Sequence, residues 1–320
     1  MHLNFEDIVL VPQGGILDSR KDANISATLG NWEFAVPVVA ANMQSIITAE
    51  VCKQFDNNNW FYVYHRIGGT AEVITFTEHA NKEFNKVSIS VGVKDEWIEA
   101  VKYLHSINQK VDYFTVDIAH SHSLSVIPIL QCIKKLYPNS YTICGNGCTK
   151  EWVEFLESLT DENKVRLVDC VKVGIGVSKS CRTREYTGFG SSTIGSLKEC
   201  NDAARHSDIM SDGGITINGD TVCIGDIAKA IAFGADWVMS GALFSRCIDS
   251  PAVLHGYYGN ASRQAKGNDH VEGELVKVQT NGLTIKEMMK LIEDSLRSSV
   301  SYGGKEHIYE LYGAKYEVIK

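Results

Sequence analysis

The chain has 320 residues, 44% hydrophobic and 22% charged, with a formal net charge of -8. This is an ordinary globular composition, long enough for a large core, and its acidic balance argues against nucleic acid or an anionic membrane as partner. No apolar run approaches the ~20 residues that span a bilayer, "MHLNFEDIVLVP" lacks the regions of a signal peptide, and nine scattered cysteines read as free thiols of a cytoplasmic protein.

Apolar runs alternate with amphipathic segments along the chain. The predicted strands are "PVVAANM" from Pro37, "WFYVYH" from Trp60, "VSISVGV" from Val87, "YFTVDIA" from Tyr113, "YTICGNG" from Tyr141, "CVKVGIG" from Cys170, "SDIMSDGG" from Ser207 and "DWVMSGA" from Asp236. Several are almost continuously apolar, as strands covered on both faces are. Between them, "KDEWIEAVKYLHSI" and "SVIPILQCIKKLY" carry helical periodicity. Alternating β and α segments predict a parallel sheet, and eight units predict an α/β fold of the (β/α)8 TIM-barrel type, a single domain over 1–320. A doubly wound open sheet is the alternative. Cys144 and Cys148 lie close in sequence, but no second pair completes a zinc site, and no metal is expected there.

The C-terminal ends of these runs collect Asn42, His65, Asp117 with His120, Asn146, Gly174, Gly176, Asp212 to Gly214 and Gly241. Barrel enzymes keep their active sites at that end. Three glycine-bearing ends, "GIGVSKSC", "SDGG" and "SGA", let a ligand approach main-chain N–H groups and point to a phosphorylated small molecule. Asp212 is placed to accept hydrogen bonds from a ribose diol. Cys181 stands beside this cradle with Lys179, Arg182 and Arg184 within three residues. Neighbouring cations favour a nucleophilic thiolate, while a small core residue is the alternative reading of any cysteine. Thr183 offers a hydroxyl to the same place.

Ordered motifs along the whole chain, among them "FEDIVLVP", "PVVAANMQSII", "DIAHSHS", "VKVGIGVSKSC", "EYTGFG", "SDGGI", "GDIAKAIAFGA", "YYGNAS", "VEGE" and "SVSYGGK", resemble the inosine-5′-monophosphate dehydrogenase/GMP reductase family, on the side of the bacterial type 2 GMP reductases. The resemblance implies a (β/α)8 barrel assembled as a homotetramer, and NADPH-dependent conversion of GMP to IMP and ammonia. It implies that Cys181 forms a covalent thioimidate at purine C2, and that Thr183 and Glu272 move a proton to the departing amine. It places Lys179, Asp212, Gly213, Gly214, Gly241, Ala242, Tyr258, Gly259 and Asn260 at the substrate. Ser19, Arg20, Arg66, Asp117, Ile118, Ala119, Ile175 and Gly176 match cofactor positions, with Tyr302 and Gly303 reaching a neighbouring copy's cofactor. An active-site flap over about 259–280 and a C-terminal helical segment over about 284–320 are expected. So is a monovalent cation such as K+ on loop carbonyls.

The chain departs from the pattern in three places. Val177–Ser178 stand where the family has Pro–Gly, Ser121 replaces a glycine, and "TINGDTVCIGDIAKA" after Ile215 is several residues longer. The competing readings are an IMP dehydrogenase and a catalytically silent nucleotide-binding protein. The first lacks its usual Arg-Tyr pair between Gly259 and Gly273. Intact Cys181, Thr183 and Glu272 argue against the second.

Overall fold

The computed structural model describes residues 2–178, 181–218, 221–260, 262–266 and 273–319. Its centre is a seven-stranded sheet. The strands are β1 (Val38–Ala40), β2 (Ser88–Val91), β3 (Tyr113–Asp117), β4 (Tyr141–Gly147), β5 (Cys170–Val173), β6 (Asp208–Asp212) and β7 (Trp237–Ser240). All pairings are parallel, in the order β1-β7-β6-β5-β4-β3-β2. The first strand lies beside the last and the rest follow in sequence. A doubly wound sheet reverses its order at a switch point; this one does not.

The expected eighth strand, Trp60 to His65, is not a regular strand. It touches the β2 edge through one bridge, with the Tyr64 N–H donating to Ser88 O at 3.1 Å and the Ser90 N–H to Tyr64 O at 2.9 Å. No ladder joins it to β1 among the described residues, so the expectation of eight regular strands in a closed ladder is corrected to seven. Side-chain packing holds this segment instead: Phe61 and Val63 join the inner apolar cluster, while Trp60, Tyr62 and Tyr64 join the outer one.

The alternation of the strands assigns the two faces. Phe114, Val116, Val171 and Val173 face outward to the helices, which contribute Val101, Leu104, Ile129, Ile133, Trp152 and Leu197. Tyr113, Ile143, Cys170, Met210 and Trp237 face inward. A strand pair, Ala27–Leu29 with Trp32–Phe34, adds Leu29 and Phe34 to that inner cluster. Helix starts follow local chemistry. The Thr149 hydroxyl accepts from the Trp152 N–H at the start of Lys150–Ser158, and Thr284 and Glu287 cap Ile285–Tyr302 reciprocally.

The C-terminal segment is helical only to Tyr302. Beyond it come a short 3-10 turn, Ile308–Leu311, and a strand, Tyr316–Val318, paired antiparallel with Ile8–Leu10. None of the described helices is long and apolar enough to cross a membrane.

Candidate active site

A cavity of ≈ 210 Å³ opens at the C-terminal ends of the strands. Its floor is built by register. Asp117, Gly145 and Lys172 are aligned partners on β3, β4 and β5. All three stand on the inward face, two positions above the buried layer of Thr115, Ile143 and Cys170. Gly145 carries no side chain, and a Cβ there would lie 2.5 Å from Lys172 Cβ. The Lys172 side chain therefore passes over Gly145 and reaches Asp117 two strands away, with Nζ 3.3 Å from Oδ1.

Lys172 is 1% exposed. Its ammonium also donates to Asp212 Oδ2 and, at 2.5 Å, to Asn146 Oδ1. Asn146 Nδ2 donates to the same Asp212 oxygen at 2.7 Å and to Gly174 O at 2.8 Å. Arg66 Nε donates to Asp117 O at 2.8 Å and lies 3.7 Å from its Oδ2. Burial works against the Lys172 charge, but the Asp212 and Asp117 carboxylates outweigh it and hold the amine above its ordinary value. The group is an ammonium throughout the neutral range.

From the end of β5 the chain turns through Gly174, whose φ of +143° and close approach to Asp212 O would admit no Cβ. It then arrives at Cys181. The thiol lies 3.1 Å from Thr183 Oγ1, and either atom can donate. Thr183 opens the one-turn helix Thr183–Thr187. Both residues line the cavity, as does Gly273, which bridges the backbone of Cys181 on one side and Ser262 on the other. Arg182 and Arg184 do not point where the sequence reading placed them. Arg182 pairs with Glu274 and, at 3.3 Å, with Glu185. Arg184 donates to Ser191 O.

The opposite wall comes from β6 and β7. Gly213 and Gly214 both take positive φ, +85° and +78°, which turns the chain across the cavity mouth. Gly241 lies against Tyr257: a Cβ on it would come within 2.6 Å of the Tyr257 hydroxyl. Gly259 borders open space, with nothing within 4 Å of where its Cβ would be. Asn260 Nδ2 donates to Asn42 O at 3.1 Å and to Asp117 Oδ2 at 3.4 Å, tying the segment after β7 to the floor.

Of the residues singled out in the sequence, the cavity gathers Cys181, Thr183, Asp212, Gly213, Gly214, Gly241, Ala242, Gly259, Asn260, Arg66, Asp117, Ile118, Ala119, Ile175 and Gly176. Tyr258 stands outside the lining, its hydroxyl 3.2 Å from Gln44 Oε1, and Tyr257 takes the cavity side. Ser19 and Arg20 lie away from the cavity on an exposed turn, where Arg20 donates to Ser298 at 3.1 Å. Tyr302 and Gly303 line a separate surface groove with Gln13 and Lys305. Lys179 and Glu272 lie outside the described residues. So does part of the loop expected to hold a monovalent cation.

Lys172 escaped the sequence reading. Its signal was a lone lysine inside an otherwise apolar strand. Ser121, at the family's glycine position, is buried and takes a hydrogen bond from Trp152 Nε1 at 2.8 Å. The long stretch after Ile215 forms a small hairpin, Ile217–Asn218 with Thr221–Val222, and Ile217 lines the cavity.

Residues 2–319 match the family model described as "IMP dehydrogenase / GMP reductase domain". The chain is 38% identical over 328 aligned positions to a protein named GMP reductase from Streptococcus pneumoniae strain Hungary19A-6, covering 99% of this chain and 94% of that one. It is 37% identical, with the same coverage, to the GMP reductase of strain ATCC 700669 / Spain 23F-1.

Proposed function

The chain belongs to the IMP dehydrogenase/GMP reductase family, and from that premise we propose that it is a GMP reductase, an oxidoreductase of purine metabolism. The reading gives it reductive deamination of GMP to IMP and ammonia with NADPH. The observation that carries it is the thiol of Cys181, 3.1 Å from Thr183 Oγ1, at the rim of a cavity floored by lysine-held carboxylates. The residues fit a nucleotide pair. Gly259 borders open space, Gly213 and Gly214 turn backbone toward the void, and Asp117 and Asp212 offer acceptors suited to ribose hydroxyls. Asp212, Gly213, Gly214, Gly241 and Ala242 are assigned to GMP; Arg66, Asp117 to Ala119 and Gly176 are assigned to the cofactor.

In the mechanism, Cys181 Sγ adds to purine C2. The exocyclic amine leaves as ammonia after gaining a proton, because an amide anion is too poor a leaving group. Thr183 is placed to pass that proton, and Glu272 is assigned as its source, one residue before the Gly273 that bridges Cys181. The thioimidate remains on Cys181. NADPH, when bound, supplies a hydride for C2; the C–S bond then breaks and Cys181 recovers its electron pair. Gly213 and Gly214 contribute by letting the nucleotide approach main-chain donors, and Lys172 pairs with both carboxylates.

The same reading closes the sheet into a barrel. A cyclic strand order, with Trp60 to His65 on the β2 edge, supports it. It also assigns a homotetramer in which Tyr302 and Gly303 serve a neighbour's cofactor. Tyr302 is 68% exposed, in accord with that assignment.

The test is to mix the protein with GMP and NADPH and follow NADPH oxidation together with ammonia release. Equal amounts of the two are expected. No turnover, with NADH formed from IMP and NAD⁺, would replace the reductase by a dehydrogenase.

A further inference from the structure

Two carboxylates in the cavity floor share one ammonium. Lys172 takes Asp212 Oδ2 and Asp117 Oδ1. Asp117 Oδ2 is left to Arg66 at 3.7 Å and Asn260 at 3.4 Å. Asp212 Oδ2 also receives Asn146, and its Oδ1 has no hydrogen bond among the described residues. Both carboxylates line the cavity and both are held by the same ammonium. The arrangement depends on Gly145, which opens the path from Lys172 to Asp117.

On the functional reading above, Asp212 meets the nucleotide and Asp117 the cofactor. We propose that Lys172 is the positioning residue for both, a single buried cation that pairs with the nucleotide carboxylate and the cofactor carboxylate and aims them. A ribose hydroxyl donates to an ionised carboxylate more strongly than to a protonated one, which has lost an acceptor. Without Lys172 the two acids would lie in a closed floor with no shared counter-ion. Burial and mutual repulsion then favour the protonated form.

The other groups facing this cluster do not substitute for Lys172. Arg66 lies beside Asp117, its Nε 3.7 Å from Oδ2. Asn146 and Asn260 are uncharged. The thiols of Cys144 and Cys170, on β4 and β5, are pushed upward chiefly by burial, Cys144 to about 12, and stay neutral.

The test measures GMP binding by calorimetry with no cofactor present, so turnover does not enter. Wild type and Lys172→Met are compared from about pH 8 to about pH 6. The GMP phosphate itself titrates near pH 6, so the readout is the ratio of variant to wild-type dissociation constants, which is expected to grow roughly tenfold from about pH 8 to about pH 6. Removing the shared cation leaves two carboxylates together and can unfold the protein, and neutralising one of them relieves their repulsion. The double variant Lys172→Met/Asp117→Asn is therefore measured in parallel; it keeps Asp212 and should show the same pH-dependent loss. A folded variant whose affinity parallels wild type at every pH, or is weakened equally at every pH, overturns the positioning role. Failure of the wild-type protein itself to bind GMP would instead strike the functional reading on which this one rests.

Discussion

The two ends of the sheet interior are built from the same strands and do opposite work. At the N-terminal end, Phe34, Phe61, Tyr113 and Trp237 meet edge to face, with centroids 4.9 Å apart for Phe61–Tyr113 and 5.5 Å for Phe34–Trp237. Their polar tips are satisfied by backbone: the Tyr113 hydroxyl donates to Leu29 O at 2.8 Å and Trp237 Nε1 to Thr28 O at 3.0 Å. At the C-terminal end the inward positions are Asp117, Gly145, Lys172 and Asp212, and order there comes from charge and hydrogen bonds. Cys170 and Lys172 are neighbours on one face of one strand, yet one is packing and the other electrostatics. Proximity along a strand therefore does not predict role, whereas height within the sheet does. If the division is real, a substitution at either end should move one observable and spare the other.

The largest expected effect is at the upper end. Cys181→Ala should lower kcat by about 10³-fold or more, since losing a covalent nucleophile removes the reaction path itself. The variant should still bind GMP, because the assigned nucleotide contacts lie on β6 and β7. Its melting temperature should match wild type. Steady-state kinetics, GMP titration and a thermal melt check all three, and turnover near wild type would end the thioimidate mechanism.

Phe61→Ala attacks the lower end. Phe61 is 1% exposed and contacts Phe34, Tyr113 and Trp237. Its loss should cost about 3–5 kcal/mol of stability, read by urea unfolding. At a temperature where the variant remains folded, KM for GMP should be unchanged. Phe61 also anchors the segment that lacks a regular ladder, so a much smaller loss would mean the Trp60–His65 segment does not depend on this packing.

The asymmetry between the ends also explains what could be read beforehand. Seven of the eight expected runs are strands because burial on both faces is written directly in near-continuous apolar runs such as Val38–Ala40. The Trp60–His65 run has the same pattern, but pattern reports which faces are covered and not whether backbone groups find ladder partners. Cys181, Thr183 and the glycine turns could be grouped from the sequence because their spacing is local, and all of them line the cavity. Lys172 could not, because its meaning depends on Gly145 and on a three-strand register that no local window contains. Arg182 failed in the other direction: closeness in sequence to Cys181 put a cation near the thiol, and Glu274, far along the chain, takes its guanidinium. Tyr258 and Tyr257 exchange places for a related reason, since the tyrosine of "YYGNAS" that faces inward is set by the bridge of Tyr257 to Val276.

The smallest effect sharpens the comparison most, because it asks whether the lower end can be loosened without the upper end noticing. Glu157 sits at the foot of β6 and accepts the backbone N–H groups of Arg205 at 3.0 Å, His206 at 2.9 Å and Ser207 at 2.9 Å. Burial pushes its carboxyl up, but the His206, Ser207 and Arg205 donors outweigh that and hold it below the usual 4.5. A carboxyl whose folded value is depressed stabilises the fold above its unfolded value, and that contribution is lost as pH falls through the folded one. Glu157→Gln should thus cost about 1 kcal/mol near neutral pH, a modest figure because the group is partly exposed. The gap from wild type should shrink as pH falls from 4.5 through the lowered folded value, below which the wild-type carboxyl is itself neutral. Urea unfolding at both pH values measures this. Because β6 also carries Asp212 to the cavity, kcat/KM at neutral pH is the deciding readout: a value equal to wild type keeps the two ends separable, and a fall in kcat/KM alongside the lost stability would show that the foot of β6 helps to aim its top.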